Sequence, residues 1–379
     1  MMTPPFSRRQ FIASSAAAIG AASLARLGAS TLLADDAPPP TPAKPLGFAF
    51  VGLGDFATNH LMPGMARCKL CKIVALVSGH PDKAAVQAQK YGVNPKNIYN
   101  YDNYDSIKDN PDIDAVYIVL PNGMHAEYTI RAFAAGKQVM CEKPMANTAA
   151  ECQQMIDAGK KAGKKLQIGY RMHWDAPTLA CIDTLRKGTI GPIQIISAAT
   201  GFTINGQQWR LDKKLAGGGC MMDIGIYSLS AARYFAGEEP TEVFAHTYQD
   251  KTNPLFQQVE QHCDFQLKFP GGALASCLSS YNVNFNRYTI WGNKGNCVIE
   301  PGQSYNRTPG LMVNANKFSL NNKAVPVMEA DQFVGEMDGF AQVVAGAGPA
   351  KATGEEGLQD MRIIDAIYES AQSGKSVKL

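Results

Sequence analysis

The segment that most constrains the fold is Leu46-Gly47-Phe48-Ala49-Phe50-Val51, a short apolar run that passes straight into Gly52-Leu53-Gly54-Asp55-Phe56-Ala57 and then into helix-compatible sequence. A buried strand that delivers the chain into a glycine turn at the start of a helix is a dinucleotide-binding arrangement, here with Ala57 at the third small position. Gly52 is expected to make the tight turn. Gly54 lets the backbone approach a pyrophosphate, which rests at the helix N-terminus beside Asp55, Phe56 and Ala57. Glycine turns are common, so one turn alone is a weak signal.

The downstream sequence repeats the pattern. Lys72–Val77 and Ala115–Leu120 read as further buried strands, each leading into helical sequence, and Gln138–Cys141 runs into the polar turn Glu142-Lys143-Pro144. Strands alternating with helices predict a parallel, doubly wound sheet. An NAD-binding chain usually carries Asp or Glu after the second strand, to hold the ribose hydroxyls. Here Ser78 takes that place with Lys83 close behind, which suits the 2′-phosphate of NADP. Lys83 also reads as an ordinary solvated charge at a helix start.

Ligands of such sheets bind beyond the carboxyl ends of the strands. Candidates there are Pro121, Asn122 and His125 after one strand, Glu142 and Lys143 after the next, then Arg171, Trp209 and Arg210, and finally Asp223 and Tyr227, four apart on one predicted helix face. Taken singly, each has a plain structural reading. Tyr227 reads as a buried helix tyrosine, Asp223 as a surface charge, Lys143 as a partner of Glu142 or a distant carboxylate, and His125 and His173 as interior hydrogen-bonders. Their co-occurrence favours a site.

With these stretches in hand, the chain resembles the superfamily of glucose-fructose oxidoreductase, inositol dehydrogenase and rhizopine-catabolism oxidoreductases (Gfo/Idh/MocA), most closely its glucose-fructose oxidoreductase branch. The likeness rests on Val51-Gly52-Leu53-Gly54, Leu76-Val77-Ser78-Gly79, Glu142-Lys143-Pro144-Met145, Gln208-Trp209-Arg210, Leu215-Ala216-Gly217-Gly218-Gly219, Asp223-Ile224-Gly225-Ile226-Tyr227 and Gly354-Glu355-Glu356-Gly357. It implies that Lys143 and Tyr227 lie at the nicotinamide, that Tyr227 gives and takes the proton, and that Asp223 orients the sugar. The chemistry agrees. Oxidising a cyclic aldose moves hydride from C1 while a base takes the O1 proton, and a phenol of pKa ≈ 10 is a poor base near neutrality. An ammonium such as Lys143 would stabilise the phenolate. No metal is called for, and no metal-spaced ligand set is visible.

From Ile193 the sequence turns to strands, at Ile193–Ala198, Thr241–His246, Glu260–Phe269, Ala273–Ser279, Tyr288–Trp291 and Cys297–Ile299, separated by glycine turns. One open, mostly antiparallel sheet is expected, which the resemblance assigns to oligomer contacts in a homodimer or homotetramer. The expected division is a nucleotide domain over 47–168, an α+β substrate and oligomerisation domain over 169–350, and a helical tail over 351–379 that returns to the body. Leu358, Met361, Ile364, Ile367, Tyr368 and Ala371 give that tail one apolar face.

The amino-terminal end reads differently. Ser7-Arg8-Arg9-Gln10-Phe11-Ile12 precedes an Ala/Gly-rich, weakly apolar run, the pattern of a twin-arginine export signal over 1–34. A proline-rich stretch spans 35–46. The formal net charge of +3 belongs to Arg8, Arg9 and Arg26; beyond Ala34, 33 basic side chains balance 33 acidic ones. No electrostatic footprint for nucleic acid or anionic membrane is present. The nine cysteines are an odd number without disulfide-framework spacing, and Cys68-x-x-Cys71 lacks a second ligand pair. The expectation is a periplasmic enzyme with retained NADP that oxidises one sugar to its lactone and reduces a second, ketose or aldose, to an alditol. A cofactor-releasing NADP-dependent aldose 1-dehydrogenase and an NAD-dependent glycosidase on the same fold are the alternatives.

Overall fold

The computed structural model describes residues 44–305, 317–328 and 330–379. The expected export signal and all but the last residues of the proline-rich stretch lie outside them. Among the described residues no helix is long and apolar enough to cross a membrane.

Strands β1 (Leu46–Val51), β2 (Cys71–Val77), β3 (Ile98–Tyr99), β4 (Ala115–Ile118), β5 (Gln138–Cys141) and β6 (Leu166–Ile168) form one sheet in the order β3-β2-β1-β4-β5-β6. All five pairings are parallel. The sheet is a wall between two cores. Ala49, Val51, Val116 and Ile118 point into one, while Phe48, Phe50, Ala115 and Tyr117 point into the other, which is why these strands read as unbroken apolar runs. The order reverses direction between β1 and β4, and the crevice there is where such sheets take ligands.

The second sheet has nine strands among the described residues. After β7 (Ile193–Gly201) come β8 (Glu242–Tyr248), β9 (His262–Lys268), β10 (Leu274–Ser280), β11 (Phe285–Gly292), β12 (Gly295–Ile299), β13 (Phe318–Leu320), β14 (Lys323–Ala324) and β15 (Val377–Lys378), ordered β14-β13-β12-β11-β7-β10-β9-β8-β15. Of these strands, only β7 and β10 pair in parallel. Cys263, Phe265 and Leu267 of β9 and Ala275 and Cys277 of β10 are buried, while the residues between them are exposed. The helices Ile226–Ala236 and Gly354–Ser373 supply the cover on the buried face.

The expected elements are present in both halves, and two short parallel strands, β3 and β6, add to the predicted set. The helix Gln332–Val344, which sequence order places in the second domain, packs instead into the nucleotide-domain core through Phe333, Met337, Phe340 and Ala341. Apolar matching to Phe48 and Phe50, not position in the chain, decides where it goes.

Candidate active site

The glycine turn does what its residues require. Gly52 has φ of +92° and a β-carbon there would stand 2.4 Å from the Val119 carbonyl oxygen, so only glycine fits. Its amide donates to Val77 O at 3.0 Å, tying the turn to β2. A β-carbon on Gly54, by contrast, would meet nothing within 4 Å. That open space over the start of a helical segment suits a phosphate. Ala57 is buried where the chain enters a π turn, Ala57–Leu61. Asp55 is exposed, and the Phe56 ring lies 5.5 Å from that of Tyr305 and 5.9 Å from that of Phe333. The buried Ser78 hydroxyl accepts the His80 amide at 3.0 Å, shaping the turn after β2, and Lys83 stands exposed on the first turn of the helix Pro81–Tyr91.

Beyond β5 the chain passes through a cis peptide between Lys143 and Pro144. Lys143 Nζ donates to the Asp223 carbonyl at 2.6 Å, lies 3.5 Å from Asp223 Oδ1, and sits 4.7 Å from the centre of the Tyr227 ring. On Asp223 Oδ2 converge Arg210 Nε at 3.1 Å and the Tyr281 hydroxyl at 3.0 Å. Burial works against the Asp223 anion, but Arg210, Lys143 and Tyr281 outweigh it and hold the carboxyl below its usual range. Arg210 also stacks on Trp209 at 4.6 Å, giving a cation on an aromatic face beside the carboxylate. Asp223 belongs to a π turn, Met221–Gly225, that precedes the helix carrying Tyr227. The predicted continuous helix face is therefore interrupted, as often happens at functional positions.

Arg171 changes the reading of Tyr227. Its guanidinium lies 5.0 Å from the centre of the Tyr227 ring and 4.7 Å from that of Tyr305. Burial pushes the Tyr227 phenol above its ordinary value, and the charge that opposes this is Arg171, with Glu142 acting the other way. The expected helper, Lys143, lies over the same ring at 4.7 Å while it bonds Asp223. Nor does Arg171 offer itself to a cofactor. It is 1% exposed, with Nη1 donating to Gln332 Oε1 at 2.6 Å and Ser304 O at 2.9 Å and Nη2 bonded to Gln303.

Three other expected cofactor contacts face inward. His125 is fully buried, with Nδ1 2.9 Å from Pro144 O and Nε2 2.8 Å from Leu120 O, so it braces two loops with nothing left for a ligand. Asn122 donates to Ala216 O at 2.9 Å, joining the loop after β4, which Pro121 opens, to the segment before the glycine triplet. Glu142 is buried and accepts the Tyr117 hydroxyl at 2.8 Å; the same hydroxyl lies 3.3 Å from Glu336 Oε2. Burial pushes Glu142 up to about 7 and Glu336 upward as well.

Sequence reasoning missed the support beneath these groups. Glu260, buried, accepts the amides of Gly219 at 2.9 Å and Met221 at 3.0 Å and the Tyr368 hydroxyl at 2.9 Å. It thereby satisfies the free amides that start the segment bearing Asp223 and Tyr227. The triplet permits the approach, since a β-carbon on Gly219 would lie 2.0 Å from the Glu260 carbonyl oxygen. Tyr281, at the end of β10, was signalled only by its place after a strand. Gln332 and Glu336 gave no signal, because they lie in a stretch that sequence order places in the second domain.

Residues 46–170 match the family described as "Oxidoreductase family, NAD-binding Rossmann fold", and residues 179–298 match the "GFO/IDH/MocA C-terminal domain". The crystal structure of an aldose-aldose oxidoreductase from Caulobacter crescentus, complexed with glycerol, is 43% identical, with a TM-score of 0.82 over 89% of this chain and 100% of that one. The D-xylose 1-dehydrogenase [NADP(+)] of Haloarcula marismortui is 30% identical over 89% of this chain and 94% of its own length. The D-xylose 1-dehydrogenase (NADP(+)) 2 of Haloferax volcanii is 28% identical over 88% and 99%.

Proposed function

Because the chain belongs to the Gfo/Idh/MocA oxidoreductase family, whose relatives here are enzymes acting on CH–OH groups of sugars, we propose that it retains NADP and uses it to oxidise one aldose to its lactone and reduce a second sugar to the alditol. The observation that carries this reading is the convergence of Lys143, Arg210 and Tyr281 on Asp223 beside Tyr227. The likeness to the Caulobacter aldose-aldose oxidoreductase supports the two-sugar form.

The residues present fit the cofactor. Gly52 makes the tight turn and Gly54 leaves room for the pyrophosphate, while Lys83 would supply a cation for a 2′-phosphate and Lys143 would hold the nicotinamide end. When bound, a nicotinamide supplies the hydride acceptor and, once reduced, the hydride donor. The chain's own groups handle the proton. Burial keeps the Tyr227 phenol protonated near neutrality, the form that donates to a sugar carbonyl during reduction. That donation leaves a phenolate, which Arg171 stabilises, and in the oxidative half the phenolate takes the O1 proton and returns to the phenol. Asp223, kept ionised, accepts sugar hydroxyls, and the Trp209 face with Arg210 borders the ring.

Purified protein with no added nucleotide should form aldonolactone and alditol in equal amounts. A need for free NADP at every turnover would replace this reading with an NADP-dependent aldose 1-dehydrogenase, which the haloarchaeal relatives favour. The twin-arginine pattern at Arg8-Arg9 supports export to the periplasm after the cofactor is loaded. Replacing both arginines by lysine should leave the protein uncleaved in the cytoplasm; unchanged export would refute that placement.

The open face of the nine-stranded sheet supports a homo-oligomer. Trp291, Ile195 and Leu274 lie side by side across β11, β7 and β10, with exposures of 39%, 50% and 55%. Contiguous exposed apolar side chains mark association surfaces, and a second copy is the occupant we assign.

A further inference from the structure

Cys68 and Cys71 read in the sequence as two thiols without a third ligand. Folding supplies one. Asp338, on the helix Gln332–Val344, comes to the loop before β2, and its carboxylate and the two sulfurs lie within 4.8 Å of one another. The pair flanks a tight connection, with Cys68 just after a helical turn and Cys71 as the first residue of β2.

We propose that Cys68, Cys71 and Asp338 bind one borderline-soft divalent transition-metal ion of the zinc class, with water in the fourth position. Two sulfur donors exclude the hard oxygen-seeking cations. A tetrahedral zinc site places sulfurs about 3.8 Å apart and sulfur and oxygen about 3.6 Å apart, so the three atoms need to close by no more than about 1 Å. The carboxylate is already oriented, since Lys69 N donates to Oδ2 at 3.1 Å and Leu70 N to Oδ1 at 2.9 Å, the kind of outer-shell bonding that fixes metal-ligating carboxylates. Cys71 is buried and Cys68 half-buried, which leaves one side open to solvent. Cys71 Sγ donates to Met337 O at 3.2 Å and Cys68 Sγ to Gly64 O at 3.6 Å. Binding exchanges those weak contacts for two metal–sulfur bonds and releases two thiol protons to solvent.

The site is remote from the sugar chemistry but joined to it. The same helix carries Gln332, which holds Arg171, and Glu336, which faces Tyr117. A metal here fastens the underside of that helix to the nucleotide sheet, reinforcing the Arg67–Asp331 ion pair at the start of the helix.

The test is cobalt titration of the full-length, cofactor-loaded protein under a non-thiol reductant. One equivalent of Co²⁺ should give thiolate-to-metal charge-transfer absorption, lost in Cys68→Ser and Cys71→Ser. Asp338→Asn should bind at least about tenfold more weakly. On the wild-type chain alone, zinc should raise the melting temperature and a chelator should reverse the rise, a readout independent of whether the variants fold. No charge-transfer band in the reduced wild type overturns the proposal, and so does a band that persists in Cys68→Ser. A Cys68–Cys71 disulfide that, once reduced, yields a protein taking up no cobalt would also overturn it and identify the pair as redox thiols.

Discussion

The two sheets are built from the same kind of residues and treat their faces in opposite ways. In the parallel sheet both faces are buried, and alternate residues of β1 and β4 serve two different cores. In the nine-stranded sheet one face is covered by the helices Ile226–Ala236 and Gly354–Ser373, while the other presents Ile195, Leu274, Leu278 and Trp291 to solvent. The difference arises from connectivity. Parallel strands need crossovers, and helical crossovers cover both sides; antiparallel hairpins need none. The first sheet can therefore lend only the ends of its strands to chemistry, whereas the second has a whole face free for another molecule. Tyr227 stands between them, on a helix that packs on the second sheet and beneath a lysine that comes just after a strand of the first.

That junction predicts the largest effect. Tyr227→Phe should lower turnover about 10²–10⁴-fold with the melting temperature little changed, measured by product formation alongside calorimetry; unchanged turnover would remove the proton-transfer role. Next come the buried faces. Phe50→Ala in the parallel sheet and Phe265→Ala on the covered side of the other should each cost about 3–5 kcal/mol, while Leu274→Ala on the open side should cost no more than about 0.5 kcal/mol by denaturant titration. An equal cost at Leu274 in the isolated chain would erase the distinction between the faces. Ile195→Arg should instead lower the oligomer mass in light scattering.

The two glycines of the turn sharpen the contrast between support and site. Gly52→Ala forces a side chain against Val119 O at a positive φ, so it should destabilise the fold by about 1–3 kcal/mol. Gly54→Val enters empty space, so it should spare stability and abolish NADP retention, seen as loss of cofactor absorbance from the purified protein.

The smallest effect is a pH dependence. Burial raises Glu142 from 4.5 to about 7, so in that window the folded chain holds a proton that the unfolded chain has released. Stability therefore falls as pH rises through the window. Glu142→Gln, which cannot ionise, should flatten this part of the melting curve; an equally steep fall in the variant would assign the proton elsewhere, with Glu336 the next group to replace.

The site was only partly legible. Lys143, Asp223 and Tyr227 were readable because each lies at or just past a local element with a recognisable pattern. That two cations share the Tyr227 ring was not, because Arg171 and Lys143 both lie past strand ends and only packing brings Lys143 to 4.7 Å and Arg171 to 5.0 Å from its centre while Lys143 also bonds Asp223. His125 looked like a ligand from its place after β4, yet its two carbonyl partners come from segments on either side of it in space.

By itself the sequence determined the glycine turn, the parallel pairing of the first half and the turn to antiparallel strands after Ile193, since all of these rest on patterns a few residues long. The tertiary structure alone decided that the helix Gln332–Val344 returns to the nucleotide core, that Glu260 anchors the start of the segment bearing Asp223 and Tyr227, and that Asp338 meets Cys68 and Cys71. These contacts join groups distant in sequence, chosen by the fit of apolar faces and by the need of buried amides and carboxylates for partners. No local pattern encodes that.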